Sequence, residues 1–378
     1  MSGALLRRPA GLRALGGMAL GAWMLAAAFP LVWVAAMSFK LPVDAFAADP
    51  LAVLLGPVTR AADGGLSLAD LLAACIVVLA AAMTVAHVLG RGPSRRAVAA
   101  AVLAAAVVIV ALRVLPDTGA LGRPLIGFTW QAYRSVWIEH EFWRNFLNSL
   151  IVTTGVVTLS LTVGTLAGFA LARSRTNLAY WLLITALIFR ALPPSVLVAG
   201  YLPAFIASRD WLMPLWHAPL LGEALRAISP MPPTLYGKPW AAIGALVAIN
   251  QPFTIWMLRS FFAGIPVELD EAAQIDGCTY GQAFRKVIMP VMWPGVITTG
   301  LFSFLLAYND YLVCAMLLDA QNQTMVPAIT GFFNRETTTT DEVQAVAAAV
   351  SITAPLFLLV LGFQQQIVSG LTAGAVKG

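Results

Sequence analysis

The chain has 378 residues, 60% hydrophobic and only 11% charged, with a formal net charge of +5. Soluble domains keep about a quarter of their residues charged, so this composition excludes a large water-soluble domain and a disordered chain. Despite the positive charge it also excludes a nucleic-acid-binding protein. What remains is an all-α, polytopic transmembrane helix bundle.

A helix needs about 20 apolar residues to cross the hydrocarbon core of a bilayer. Eight runs of that kind occur, at 15–38, 66–89, 97–115, 146–171, 178–204, 240–262, 294–318 and 343–367. The first follows Arg7, Arg8 and Arg13, and its Ala26-Ala27-Ala28 could imitate a cleavage site. Its apolar stretch nevertheless continues through Phe29 to Met37, which predicts an uncleaved span. With the N-terminus in the cytoplasm, the even-numbered loops are cytoplasmic and carry Arg91, Arg95, Arg96, Arg173, Arg175, Arg285 and Lys286. That satisfies the positive-inside rule and puts the C-terminus in the cytoplasm as well. The positive charge therefore orients the chain and implies no acidic partner.

The second and third runs are dominated by Ala, Val and Leu, with Asp70, His87 and Arg113 near their ends and no polar stripe, and so predict a peripheral hairpin. Residues 129–145, with Trp130, Tyr133, Trp137, Trp143 and Arg144, mix aromatics and charge as an interfacial helix does. The stretch 205–239 is rich in proline and predicts a structured loop or short helices. Cys75, Cys278 and Cys314, like His87, His140 and His217, lie far apart without CxxC or HExxH spacing, so no metal centre or disulfide framework is expected.

The most informative segment is 265–290, which reads as helix, glycine turn, helix. Pro266 suits a first helical position, and Glu268, Asp270 and Glu271 put negative charge at the positive end of the helix dipole. Gly277 can take the positive φ that ends a helix, and Thr279 with Gln282 forms a capping box for the next, which Pro290 is expected to stop. Ala272 and Ala273 offer a face with little bulk that could sit in another protein's groove. The other reading of the segment is an amphipathic re-entry loop.

Glu271-Ala272-Ala273, Gly277 and Pro290, with Val287 and Met289 in place of an Ile and a Leu, resemble the EAA loop of ABC importer permeases. The resemblance extends through Arg144-Asn-Phe-Leu-Asn-Ser149, the Pro193-Pro194 break, Ala307-Tyr-Asn-Asp310 and Ala373-Gly-Ala-Val-Lys-Gly378. Together these residues look like the MalG-type half of a carbohydrate importer, with Tyr308 where that family often has Trp. It implies that Glu271, Ala272, Ala273, Asp276, Gly277 and Pro290 couple to a separate ATPase, and that Gly374, Lys377 and Gly378 reach into the ATPase dimer interface. The other reading of the tail is a frayed terminus. The implied partners are a MalF-type second permease, two copies of an ABC ATPase, an extracytoplasmic solute-binding protein and the lipid of a bacterial inner membrane. The chain has no Gly-x-x-x-x-Gly-Lys-Ser/Thr loop, so it is expected to bind no cofactor, with ATP and Mg held by the ATPase. The expected organisation is an N-terminal span and outer loop (1–50), an inserted hairpin (51–125) and a permease core (126–378), a six-span core plus two extra spans. Those two spans resemble α-glucoside-type members.

Ionisable groups deep in a span cost about 2.5–3.5 kcal/mol unless paired or wetted. Arg190 and Asp310 are such groups, and their depths differ by about 6 Å, within an arginine's reach. They are expected to pair, or to share an aqueous path with Asn250, Gln251 and Asn309 where Pro193, Pro194 and Pro252 break helices, with Tyr308 and Tyr311 as rings for a sugar. A purely structural pair is the other reading. An ion- or proton-coupled secondary transporter is the alternative function, and it would need these two groups as a titratable relay.

Overall fold

The computed structural model describes residues 10–88, 99–104, 106–107, 123–174, 176–219, 221–228, 232–333 and 338–375. In chain order its elements are α1 (Ala10–Ser38), α2 (Pro42–Ala45), α3 (Pro50–Leu55), α4 (Pro57–Asp63), β1 (Gly65–Ser67), α5 (Leu68–Val88), β2 (Pro124–Gly127), α6 (Gln131–Arg134), α7 (Phe142–Arg173), α8 (Asn177–Arg190) and α9 (Pro194–His217). There follow α10 (Leu221–Ile228), α11 (Pro239–Ala263), α12 (Glu268–Ile275), α13 (Tyr280–Ala283), α14 (Met289–Tyr308), α15 (Leu312–Leu317), α16 (Met325–Phe333) and α17 (Thr339–Ala375).

Among the described residues, five helical stretches are long and apolar enough to cross a membrane: Leu15–Ser38, Phe142–Arg173, Pro239–Ala263, Tyr280–Tyr308 and Thr339–Gln364. Four of them coincide with expected spans. The fifth corrects one, because the run expected at 294–318 begins at Tyr280 and ends at Tyr308. Pro290 does not stop it. A π-helical turn, Phe284–Ile288, joins α13 to α14 just before the proline, and such a widened turn accommodates a residue that lacks an N–H. The run at 178–204 is divided at Ala191–Pro193 into α8 and α9, where the first of two prolines forbids its predecessor the helical conformation. Pro252 lies inside α11 without ending it, another departure from expectation. The run at 66–89 forms α5, whereas most of 97–115 lies outside the described residues.

The chain divides into two compact units, residues 1–140 with 332–350, and residues 141–331 with 351–378. In the first unit, α2–α4 fold around the Asp44 carboxylate, which accepts from Thr59 N–H (2.6 Å), Thr59 Oγ1 (2.7 Å) and Val58 N–H (3.3 Å). These bonds satisfy orphan donors at the start of α4. Lys40 is buried beside it and donates to the Gly127 carbonyl; burial lowers its pKa below the ordinary 10.5, and Asp44 opposes that shift. Phe39, Phe128, Trp130 and Tyr133 form an aromatic cluster with neighbouring ring centroids 4.6–5.6 Å apart. Strands β1 and β2 pair antiparallel, Gly65 with Gly127, Leu66 with Ile126 and Ser67 with Pro124. The clip thus brings the two ends of the segment 68–123 side by side.

The second unit is built on α7, α11 and α14. Along the α7–α11 seam, Gly164 and Gly168 present a small-residue face that lets the backbones close. A Cβ on Gly164 would lie 2.6 Å from Thr254 Cγ2, and one on Gly168 would lie 3.0 Å from the Arg259 amide nitrogen. Val152, Val156, Ala241, Ala245, Leu246, Val313 and Leu317 fill one end of the seam, and Leu258, Phe262, Ile288 and Met292 the other. Asn145 and Asn148 both donate to the Gln323 carbonyl (2.9 and 3.1 Å), and Ser149 Oγ accepts from Met325 N–H (2.8 Å). The polar run at the start of α7 therefore ties down residues 321–325.

Candidate functional site

Helix α12 and its turn carry out the local chemistry written in their sequence. Glu268, Asp270 and Glu271 occupy the first turn of α12. Gly277 adopts φ +89°, its N–H donates to Gln274 O (3.0 Å) and Cys278 N–H donates to Ala273 O (3.0 Å). That bond pair is a Schellman closure, which needs the left-handed residue that glycine supplies. Thr279 Oγ1 accepts from Gln282 N–H (3.4 Å) while Gln282 Oε1 accepts from Thr279 N–H (2.9 Å), closing the expected capping box.

The eight-residue helix has two distinct faces. Asp270 and Ala273 are buried, whereas Glu271, Ala272, Asp276 and Gly277 are exposed. Exposed apolar side chains flank them, with Ile275 at 86% and Tyr280 at 76%. The expectation for Ala273 is therefore corrected: it packs against its own protein, and Ala272 alone of the two alanines lies on the free face. Pro290 is exposed, the second residue of α14.

Arg173, which charge pattern marks only as an orienting residue, holds the buried face in place. It is the last residue of α7. Its Nε lies 2.7 Å from Asp270 Oδ2, and its Nη1 donates to the Ile265 carbonyl (3.2 Å) and the Phe262 carbonyl (3.3 Å). The guanidinium also sits 5.7 Å from the Phe169 ring centroid. One side chain thus meets a carboxylate, the Phe262 carbonyl at the negative end of α11, the Ile265 carbonyl just beyond it and an aromatic face. No local motif announces this arrangement, because Arg173 and Asp270 are 97 residues apart.

Arg190 and Asp310 form no ion pair among the described residues. The Arg190 guanidinium instead lies over the Phe253 ring, 4.5 Å from its centroid. Asp310 Oδ1 accepts from Val313 N–H (2.8 Å) and Cys314 N–H (3.1 Å), serving the open start of α15. Asn250 is fully buried and donates to Ser303 Oγ (2.9 Å), with Thr254 Oγ1 3.3 Å from the same hydroxyl. Gln251 donates weakly to the Ser160 carbonyl (3.4 Å). Tyr308 is buried, stacks on Phe304 and donates to the Ile352 carbonyl (3.3 Å). Asn309 and Tyr311 are exposed. The Asn250 amide N–H and the Tyr308 hydroxyl therefore join helices to one another, while the Asn250 Oδ1 is buried without a partner among the described residues. Gly374 lies in the last turn of α17, and Lys377 and Gly378 fall outside the described residues.

The model of the family described as "binding-protein-dependent transport system inner membrane component" matches residues 160–372. The chain is 35% identical to the diacetylchitobiose uptake system permease DasC of Streptomyces coelicolor, over 66% of this chain and 81% of that protein. It is 30% identical to the trehalose transport system permease SugB of Mycobacterium tuberculosis, over 66% of this chain and 82% of that protein. With the trehalose/maltose permease MalG of Thermococcus litoralis the identity is 28%, over 69% and 87%. An apolar helical bundle, the capped helix α12 and a family match over more than half of its length lead to one assignment: the chain belongs to the family of inner-membrane permease components of binding-protein-dependent transport systems.

Proposed function

We propose that this permease imports a carbohydrate, forming the translocation path with a second permease and drawing its energy from a separate pair of ABC ATPase subunits. An external binding protein delivers the solute, and ATP and Mg stay on the ATPase. The orientation proposed has both termini and α12 in the cytoplasm. The observation that carries the coupling reading is the exposed face of α12: Glu271 and Ala272 stand clear of the protein, with Ile275 and Tyr280 as apolar flanks. A short helix that exposes a bare alanine beside bulkier apolar groups suits a groove in a partner. The names of the relatives speak for a sugar, and because two of them name trehalose, α-glucosides are the first solutes to test.

The alternative of an ion-coupled secondary transporter requires a titratable relay within the membrane. Arg190 over Phe253 and Asp310 at the start of α15 are engaged separately, which disfavours it. The test uses Gly277→Pro and Glu271→Lys. Proline cannot reach φ +89° and lacks the N–H that Gln274 receives, and lysine reverses the charge at a helix start. Both variants are expected to insert normally while copurifying with less ATPase and losing ATP-dependent uptake. Wild-type copurification and uptake in both would remove the coupling assignment.

A further inference from the structure

Helix α12 is eight residues long, and isolated helices shorter than about 12–15 residues are marginal in water. Its position must therefore come from tertiary contacts, and among the described residues these include the ion pair of Asp270 with Arg173. Both side chains are largely buried, at 12% and 17% exposure. The same guanidinium binds the carbonyls of Phe262 and Ile265, at the end of α11 and just beyond it, and is itself the last residue of α7. One planar fork consequently touches three elements: the short helix and the two long helices that pack closely through Gly164 and Gly168.

We propose that Arg173 is a positioning residue for energy coupling: through Asp270 it delivers a displacement of α12 to the ends of α7 and α11. The proposal rests on the reading of α12 as the ATPase-docking helix, and goes further by naming the inward contact that converts docking into movement of the spans. The chemistry suits the task. An arginine fork satisfies a carboxylate and two carbonyls at once with fixed geometry, whereas a lysine ammonium is a single point donor on a flexible stem. Outward residues such as Glu271 decide whether the ATPase is held. Arg173 and Asp270 decide whether holding it moves the membrane helices.

The experiment uses the full importer, permease pair, ATPase and binding protein, reconstituted in liposomes with Arg173→Gln, Arg173→Lys, Asp270→Asn or the Arg173→Gln/Asp270→Asn pair. Three quantities are read: ATPase copurified per permease, ATP hydrolysed in the presence of solute-loaded binding protein, and solute taken up per ATP, with trehalose and maltose as probes. Copurification is expected to stay near the wild-type level, while uptake per ATP falls about tenfold in Arg173→Gln and Asp270→Asn, a size typical of coupling between sites. Arg173→Lys should fall in between, and the double variant should lose no more than the worse single one, since both remove one connection. Unchanged uptake per ATP in every variant overturns the proposal. So does a loss of uptake that only follows a parallel loss of copurified ATPase, because that describes a folding contact. A wild-type permease that retains no ATPase overturns the docking reading and this inference together, whereas a coupled wild type with indifferent variants overturns the inference alone.

Discussion

Asp310 gives a single carboxylate oxygen to two N–H groups, those of Val313 and Cys314, and an amide oxygen can take the same place. Asp310→Asn is therefore expected to be nearly neutral, while Asp310→Ala loses about 1 kcal/mol of stability, as removal of a helix-start acceptor does. Arg190→Ala gives up its position over Phe253, about 1 kcal/mol for a partly desolvated cation on a ring, and the two alanine losses should add. Thermal unfolding of the purified importer checks both. An Asp310→Asn variant as unstable as Asp310→Ala, and non-additive with Arg190→Ala, would bring back the ion pair that sequence depth suggests. The apolar runs that hold these residues were legible, but not that α8 ends at Arg190 and that the apolar stretch through α14 ends at Tyr308, short of Asp310. Their partners were not legible either, since Phe253 reaches Arg190 from another helix.

Helix α12 and its turn could be read almost atom by atom, because a Schellman closure and a capping box are made between residues no more than five apart. The continuation through Pro290 could not, because the π-helical turn over Phe284–Ile288 has no signature in residue type. The α7–α11 seam lies between these cases. Gly164 and Gly168 stand four apart on one face, but only the packed pair shows that the face is occupied by Thr254, Leu258 and the Arg259 backbone. Gly168→Val is expected to cost about 1–3 kcal/mol through overpacking, since backbone on the opposite helix cannot swing aside as a side-chain tip can. Gly244→Ala is the control: it lies on an exposed face of α11 with nothing within 4 Å of the added carbon. Comparing the unfolding temperatures of the two variants, in detergent and in lipid, checks this. Equal temperatures would mean that the seam relaxes freely.

Composition, five of the apolar runs and the capped helix already describe a membrane permease, since burying a span in lipid imposes length and hydrophobicity on any sequence that does it. How an inserted segment joins such a molecule is a tertiary matter, and here the β1–β2 clip carries the argument. Strands that pair lie about 4.8 Å apart, so residues 67 and 124 can be joined directly. If residues 51–125 are an insertion with a peripheral hairpin, cutting within the clip should spare the rest of the importer. We expect replacement of 68–123 by Asn-Gly, a two-residue link suited to an antiparallel pair, to leave ATP-dependent uptake measurable. The cut removes α5 together with its Ser67–Asp70 cap, whose bonds are 2.7 Å from Ser67 Oγ to Asp70 Oδ2 and 3.2 Å from Asp70 N–H to Ser67 Oγ. If the runs at 66–89 and 97–115 are both crossings, losing them together keeps every later loop on its side of the membrane. Removing 68–90 alone takes away one crossing and is expected to invert α12, so that this variant retains no ATPase. Protease accessibility of the α12 segment in oriented vesicles reports the inversion, and uptake reports the function. A double-span deletion that inserts, holds its ATPase and still transports nothing would make the hairpin part of the transport mechanism.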